Sequence, residues 1–136
     1  MQKLIKIKLI NWQSFYDNTI PVSGNILVTG ENGAGKSSML DALYFVLAGG
    51  SSKFNLAATD ETSRSVETYM RGTIGAEGRE CLRPGPNLIS HVALEFVNTN
   101  GESLVLGCAL EIRDAAPKAD QSFYLIRQGH IQDDLF

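Results

Sequence analysis

The sequence predicts an α/β fold in which a glycine-rich strand–loop–helix unit accompanies an antiparallel β subdomain. Segments 3–10, 90–97, 103–113 and 122–128 have the apolar patterning of strands, whereas residues 36–48 have the spacing of a helix. Residues 25–30 form a short β-branched stretch, which is typical of a strand buried on both faces. We therefore expect a mixed sheet together with an antiparallel β subdomain.

The bulk composition is that of a single domain. The chain has 136 residues, of which 43% are hydrophobic and 20% are charged. It contains no apolar run long enough to span a bilayer and no export signal, so we expect a cytoplasmic protein with no membrane partner and with Cys81 and Cys108 as free thiols. The net charge of −3 predicts no general attraction to nucleic acid, so any DNA contact would be local or come from other parts.

The first strand is predicted to have one buried and one solvent-facing side. Ile5, Ile7 and Leu9 alternate with Lys6 and Lys8. A loop over residues 11–18 is expected to follow, and then an edge segment over residues 19–24, whose proline and glycine suit a sheet edge and a turn.

The helix over residues 36–48 is predicted to pack through one apolar face. That face is expected to consist of Met39, Leu40, Leu43, Val46 and Leu47. Gly49 and Gly50 are expected to end the helix.

Residues 51–90 are rich in Ser, Thr, Gly and charge, and predict a long surface insertion that is mobile in part and contains one short helix near 62–71. Strand patterning then returns, and residues 98–102 predict a turn with Asn-Gly at its centre.

The loop over residues 30–37, Gly-Glu-Asn-Gly-Ala-Gly-Lys-Ser, matches G-x-x-x-x-G-K-[ST] at every fixed position. Glycines let the backbone N–H groups turn inward around phosphate oxygens. Lys36 supplies a positive charge for the phosphates, and the Ser37 hydroxyl is a suitable oxygen ligand for Mg²⁺ at the positive end of a helix. The motif therefore predicts binding of a nucleotide with Mg²⁺.

Four segments of the sequence carry a more specific resemblance. "NGAGKSSMLDALYFVLAGG" (32–50) and "LINWQSF" (9–15) resemble the ATPase heads of SMC and SMC-like proteins. "SVETYMRGTIGAEG" (65–78) and "ISHVALEFVN" (89–98) resemble condensin-like heads of the MukB, MksB and JetC type, especially JetC of the Wadjet plasmid-defence systems. No N-K-x-D guanine motif is present, so a GTPase is disfavoured. The resemblance implies a P-loop NTPase fold of the ABC/SMC-head type.

The resemblance also implies roles for individual residues. Asn32 would approach the γ-phosphate of ATP, Lys36 would bridge phosphates and Ser37 would bind Mg²⁺. Further backbone or hydroxyl donors would come from Gly33, Ala34, Gly35 and Ser38.

Trp12 and Arg71 have both a functional and a structural interpretation. Trp12, Gln13 and Ser14 lie where such heads line the base and ribose, although Trp12 also fits a half-buried core aromatic. Arg71 matches an arginine that reaches nucleotide phosphate, although it also fits a solvated surface residue. Asp41 is expected to be structural, with a bond near the start of the helix, rather than catalytic.

The last predicted strand leaves the role of Gln128 open. It matches the glutamine of a Q-loop, or it is a strand-end residue of a β-hairpin whose Q-loop would lie elsewhere; the strand–loop–strand pattern before it favours the hairpin. His91 and His130 are expected to be surface residues, because no second ligand accompanies either.

The chain has neither an LSGG[QE] signature nor a Walker B strand with an acidic pair, and it has no sustained heptads. We therefore expect residues 1–136 to be the N-terminal lobe of a head, without a coiled coil, a C-terminal lobe or catalytic residues of its own. The implied partners are its own C-terminal lobe, a second head that sandwiches ATP, DNA and kleisin-type subunits. Alternatives are another ABC-type ATPase, such as a recombination mediator or an OLD-family nuclease, and a nucleotide-binding module without turnover.

Overall fold

A computed structural model describes residues 2–22, 36–49, 65–74 and 80–131. The predicted strand over 25–30, the glycine loop over 30–35 and residues 51–64 and 75–79 of the predicted insertion lie outside these ranges. In chain order the elements are β1 (Lys3–Trp12), β2 (Phe15–Pro21), α1 (Lys36–Leu47), α2 (Val66–Arg71), β3 (Thr73–Ile74), β4 (Glu80–Cys81), β5 (Leu88–Val97), β6 (Ser103–Ile112) and β7 (Asp120–Arg127).

The main sheet has five strands in the order β2-β1-β5-β6-β7, and every described pairing in it is antiparallel. This confirms the antiparallel subdomain that the sequence predicts. Short β3 and β4 pair separately after α2. α1 contacts β5 and β6, and α2 contacts β1 and β5, so both helices lie against the inner strands on one face of the sheet. None of the described helices is long and apolar enough to cross a membrane.

The predicted loop over residues 11–18 is wrong, because β1 continues to Trp12 and β2 begins at Phe15. The chain reverses within two residues, with Trp12 paired to Phe15. Asn11 and Gln13 have positive φ angles of 51° and 48°, which allow this tight reversal. Hydrogen bonds to other elements hold the strained backbone, and the sequence pattern gives no sign of these contacts.

The buried face of α1 also differs from the prediction. Val46 is buried as expected, but Leu40 and Leu47 are 38% and 58% exposed. Met39 and Leu43 are partly buried against the core, as predicted. The other buried positions are Ser38, Asp41, Ala42 and Phe45, which the prediction did not include. Two of these residues are polar and bond to neighbouring elements, so a pattern of apolar residues alone selects a face that is rotated about the helix axis.

Lys8 contradicts the prediction of a wet face on β1, since only 1% of its surface is exposed. Its Nζ lies 3.6 Å from a carboxylate oxygen of Asp17 on β2. The segment after β7 also packs against the sheet, because the Ile131 N–H donates to Glu95 at 2.6 Å and its carbonyl accepts from Lys6 at 3.2 Å. Lys8 and Glu95 are therefore buried charged residues, Lys8 beside the exposed carboxylate of Asp17 and Glu95 in hydrogen bonds to the segment after β7.

The prediction that His91 is a surface residue is wrong, because its side chain is packed against another strand. Its Nε2 lies 2.6 Å from the Tyr124 hydroxyl, across β6. Burial, and secondarily the charge of Lys8, lower the pKa of His91 from 6.5 to about 4. His130, by contrast, is exposed as predicted, and its Nδ1 lies 3.3 Å from Glu95.

We expect His91 to make the free energy of unfolding depend on pH. Its pKa is depressed in the folded protein, so the unfolded chain takes up the proton first, and stability falls as pH drops from 6.5 to about 4. Urea unfolding above and below that window should show a smaller fall for His91→Gln than for the unaltered chain. Equal profiles for His91→Gln and the unaltered chain would contradict the prediction.

The C-terminal strands form the hairpin that one interpretation of Gln128 requires. β6 and β7 pair along their length, and the predicted Asn-Gly turn joins β5 to β6, with the Asn98 N–H donating to the Glu102 carbonyl at 2.9 Å. Gln128 directly follows β7, has a φ of 58° and donates its N–H to the Ser103 carbonyl at 2.7 Å. It therefore occupies the strand-end position.

Candidate nucleotide-binding site at the start of α1

The phosphate-binding motif ends where α1 begins. Lys36 and Ser37 are the first two residues of α1, while Asn32, Gly33, Ala34 and Gly35 lie outside the described residues. The first N–H groups of a helix have no partners within the helix and point toward its N-terminal end, which favours an anion there. A helix that begins at the lysine and serine of the motif is the arrangement that phosphate binding needs.

The hydroxyl ligand predicted for Mg²⁺ suits this position. Mg²⁺ in nucleotide sites usually takes one or two protein oxygens and completes its shell with phosphate oxygens and water. Ser37, which the sequence predicts as such a ligand, is the second residue of α1. Within the described ranges, no three His, Cys, Asp or Glu side chains gather into a possible metal site.

Trp12 is a fully buried core residue in this structure. Its ring stacks on Tyr69, with centroids 4.8 Å apart and planes inclined by 14°, and lies 6.1 Å from the ring of Phe45. Its indole N–H donates to the Ser38 carbonyl at 2.8 Å. Trp12 thus occupies the core position that its structural interpretation describes, and it contacts the first turn of α1.

Gln13 is held through its backbone. Its N–H donates to the Tyr69 carbonyl at 2.6 Å, and its own carbonyl accepts a hydrogen bond from Arg83. Both groups are therefore engaged with other elements, whereas the side chain is partly exposed. The β1–β2 turn is tied in this way to the C-terminal end of α2.

Local signals in the sequence define α2 at both ends. Ser65 and Thr68 form a reciprocal capping box, in which each side chain accepts from the other residue's backbone N–H. Gly72 ends the helix in the left-handed conformation, with a φ of 66°. The short helix predicted near 62–71 is therefore confirmed, at Val66–Arg71.

Arg71 is the last residue of α2, and its guanidinium is used within the protein. Its Nη1 donates to the carbonyls of Arg83 and Gly85 at 3.1 and 3.0 Å. These bonds hold the 83–85 segment against the end of α2. The side chain remains partly exposed.

The sequence patterns do not predict the contacts of Arg83 and Tyr69. Buried Arg83 donates to the Met70 carbonyl at 2.6 Å and to Gln13, and it lies 5.1 Å from the centre of the Tyr16 ring. The Tyr69 hydroxyl donates to the buried carboxylate of Asp41, which confirms a structural bond for Asp41 near the start of α1. No local motif marks either residue, because their partners are 13 to 70 positions away.

The structure thus brings together some of the predicted site residues. Trp12 contacts Ser38 directly, and Gln13 and Arg71 are linked to that pair through Tyr69 and Arg83. Lys36 and Ser37 begin the same helix that Trp12 contacts. The described residues thus lie on one side of the start of α1, where the candidate site is predicted.

A comparison with known protein families shows which class of protein the chain resembles. A family model for the P-loop containing region of AAA domains matches residues 4–61. This match covers β1, β2 and α1, together with the glycine loop between them. The fold is thus an α/β P-loop NTPase lobe whose described sheet is antiparallel.

Three individual proteins then show which P-loop proteins the chain resembles. The chain is 27% identical to the chromosome partition protein MukB of Vibrio vulnificus over 80% of its own length and 7% of that protein. It is 32% identical to the chromosome partition protein Smc of Methylococcus capsulatus, over 60% of this chain and 8% of that one. It is 31% identical to the DNA replication and repair protein RecF of Brucella abortus, over 44% of this chain and 15% of that one. The chain contains a P-loop ATPase region related to these proteins, and spans only a small part of their lengths.

Proposed function

We propose that this chain is the ATP-binding N-terminal lobe of an SMC-like ATPase head. ATP would bind with Mg²⁺ at the start of α1, with phosphates held by the motif from Asn32 to Ser38 and with Arg71 contributing from the end of α2. Trp12 and Gln13 would shape the base and ribose side of the site, Trp12 through its contact with α1. The P-loop match over residues 4–61 and the similarity to MukB and Smc support this function.

The main support for the proposal is a hydrogen bond between two separate segments of the chain. The two sequence blocks that resemble SMC heads, residues 9–15 and 32–50, meet through the 2.8 Å hydrogen bond from the Trp12 indole to the Ser38 carbonyl. Ser38 follows directly on the lysine and serine of the phosphate motif. A separate strand therefore positions the helix that would bind phosphate.

In the whole protein, the lobe is proposed to work with parts that this chain does not supply. These are its own C-terminal head lobe, a second head that completes an ATP sandwich, and DNA and kleisin-type subunits. Engagement and release of the two heads would drive DNA organisation, or plasmid defence if the protein is of the Wadjet JetC type. The protein would act in the cytoplasm, and the lobe alone would hydrolyse ATP weakly or not at all.

A recombination mediator is the second candidate, because RecF also matches the chain. That match covers 44% of the chain, whereas the match to MukB covers 80% and reaches into the region beyond the P-loop. The broader match favours the chromosome-partition class. The two candidates differ in the parent gene, which should encode hundreds of heptad-patterned residues in an SMC-like protein and a compact C-terminal lobe in a mediator.

ATP binding by this chain is the direct test. The chain has one tryptophan, Trp12, and its indole contacts α1 next to the phosphate motif. We expect Mg²⁺-ATP to change the emission of Trp12 and to bind more tightly than ATP in EDTA, because Ser37 would hold the Mg²⁺ that accompanies the phosphates. Titration calorimetry should give the same affinity as the fluorescence change. Failure to bind ATP by both methods would contradict the proposed function.

A second assay tests the proposal that the chain is one lobe of a head. ATP turnover should be absent or weak in the 136 residues and should appear when they are joined to the C-terminal lobe from the parent gene. Turnover by the 136 residues alone, abolished by Lys36→Ala, would contradict the need for a second lobe.

A further inference from the structure

Two buried hydrogen bonds connect α1 to the elements beside it. The Trp12 indole donates to the Ser38 carbonyl, and the Tyr69 hydroxyl donates to the Asp41 carboxylate. The donors come from β1 and α2, and both acceptors lie in the first half of α1. Ser38 and Asp41 are three residues apart, so they lie on the same side of the helix.

The two donors form a single packed unit. The Trp12 and Tyr69 rings are stacked, with centroids 4.8 Å apart. In addition, the N–H of Gln13, the residue after Trp12, donates to the Tyr69 carbonyl at 2.6 Å. A movement of either ring is therefore transmitted to the other, and the two bonds constrain both the position of α1 and its rotation about its own axis.

Burial makes these bonds selective for one arrangement. Trp12, Asp41 and Tyr69 are 0%, 1% and 4% exposed, so water cannot easily replace a lost partner. A buried carboxylate that loses its donor is strongly destabilised, because its charge is left poorly solvated. The position of α1 in which Asp41 accepts from Tyr69 is therefore favoured over rotated positions.

The same contacts connect the two ends of the candidate site. Tyr69 lies two residues before Arg71 in α2, and Ser38 lies two residues after Lys36 in α1. The bonds consequently relate the helix that begins at the phosphate motif to the helix that ends at Arg71.

We propose that Trp12 and Tyr69 are positioning residues for nucleotide binding, which hold the start of α1 in its phosphate-binding orientation through Ser38 and Asp41. This inference rests on the proposed function, since it assumes that the nucleotide binds at the start of α1. It adds a role for Tyr69 and Asp41, and it gives Trp12 an effect on ATP affinity that needs no contact with the base.

The test compares tyrosine and aspartate variants in Mg²⁺-ATP titration calorimetry. Tyr69→Phe removes the hydroxyl and retains the ring that stacks on Trp12. Asp41→Ala removes the acceptor, whereas Asp41→Asn retains a side-chain oxygen that can accept. Tyr44→Phe removes the hydroxyl of a tyrosine on the same helix that is 46% exposed, and is the matched control. Thermal unfolding without nucleotide identifies the temperatures at which each variant is folded, and the titrations are carried out there.

We expect Tyr69→Phe and Asp41→Ala each to weaken ATP binding by about tenfold in the folded protein, because the start of α1 then loses one of the two buried bonds that orient it. The loss in the double variant should be smaller than the sum of the two single losses, since both substitutions remove the bond between Tyr69 and Asp41. Asp41→Asn should recover most of the affinity, and Tyr44→Phe should bind as the unaltered chain does.

Two results would overturn the inference in distinguishable ways. If the unaltered chain binds ATP and folded Tyr69→Phe binds equally well, the hydrogen bond has only a structural role and the proposed function stands. If the unaltered chain does not bind ATP, the proposed function fails and this inference fails with it. A lower unfolding temperature with unchanged ATP affinity belongs to the first case.

Discussion

Replacing Lys36 by alanine is expected to weaken ATP binding at least about a hundredfold, because charge-assisted bonds to two phosphate groups would be lost. Lys36 is the first residue of α1, and alanine has the highest helix propensity, so the helix should still form. Titration calorimetry with Mg²⁺-ATP measures the loss, and circular dichroism verifies the fold.

Lys118→Ala is the matched control for charge. Lys118 is exposed in the segment between β6 and β7, and its replacement removes the same charge without changing α1. Its ATP affinity should equal that of the unaltered chain. Similar affinities for Lys36→Ala and Lys118→Ala would show that the nucleotide does not bind at the start of α1.

Gly72→Ala is expected to reduce the free energy of unfolding by about 3 kcal/mol, combining left-handed backbone strain with overpacking. Gly72 has a φ of 66°, and a Cβ there would lie 2.7 Å from the backbone oxygen of Gln13 and 3.1 Å from the Leu82 side chain. Relief of this contact requires the β1–β2 turn to separate from α2. Urea unfolding at constant pH measures the change.

Gly49→Ala is the control that separates backbone strain from overpacking. Gly49 has the same φ of 66°, but nothing lies within 4 Å of a Cβ at that position. It should therefore cost only the strain, about 1 kcal/mol. If the two variants lose the same free energy of unfolding, the contact between the added Cβ and the Gln13 carbonyl contributes nothing to the loss.

Local features of the sequence predicted a large part of the fold. The alternating segments lie in β1, β5, β6 and β7, and the helical spacing after Lys36 corresponds to α1. Such predictions succeed because strand and helix periods follow from backbone geometry and from the burial of one face. The end of α1 and the caps of α2 depend on Gly49, Ser65 and Gly72, whose chemistry is also local.

Local features failed where partners distant in sequence decide the environment. The alternating pattern of β1 predicts that Lys8 faces solvent, yet Lys8 is buried beside Asp17. His91 is predicted to be a surface residue at the start of a strand, yet it packs on Tyr124. Leu40 is predicted to belong to the packed face of α1, yet it is exposed because Ser38 and Asp41 face the core. In each case a polar contact, and not hydrophobicity, sets the burial.

The sequence by itself determined the phosphate-binding motif, because the spacing of glycine, lysine and serine is a local requirement of the loop and of the helix that follows it. Only the tertiary structure decided how that helix is held. The bonds from Trp12 to Ser38 and from Tyr69 to Asp41 span 26 and 28 positions, and Arg83 reaches Gln13 across 70. A buried donor takes whichever acceptor the packing of helices and strands brings within reach, and this depends on the whole fold and not on neighbouring residues.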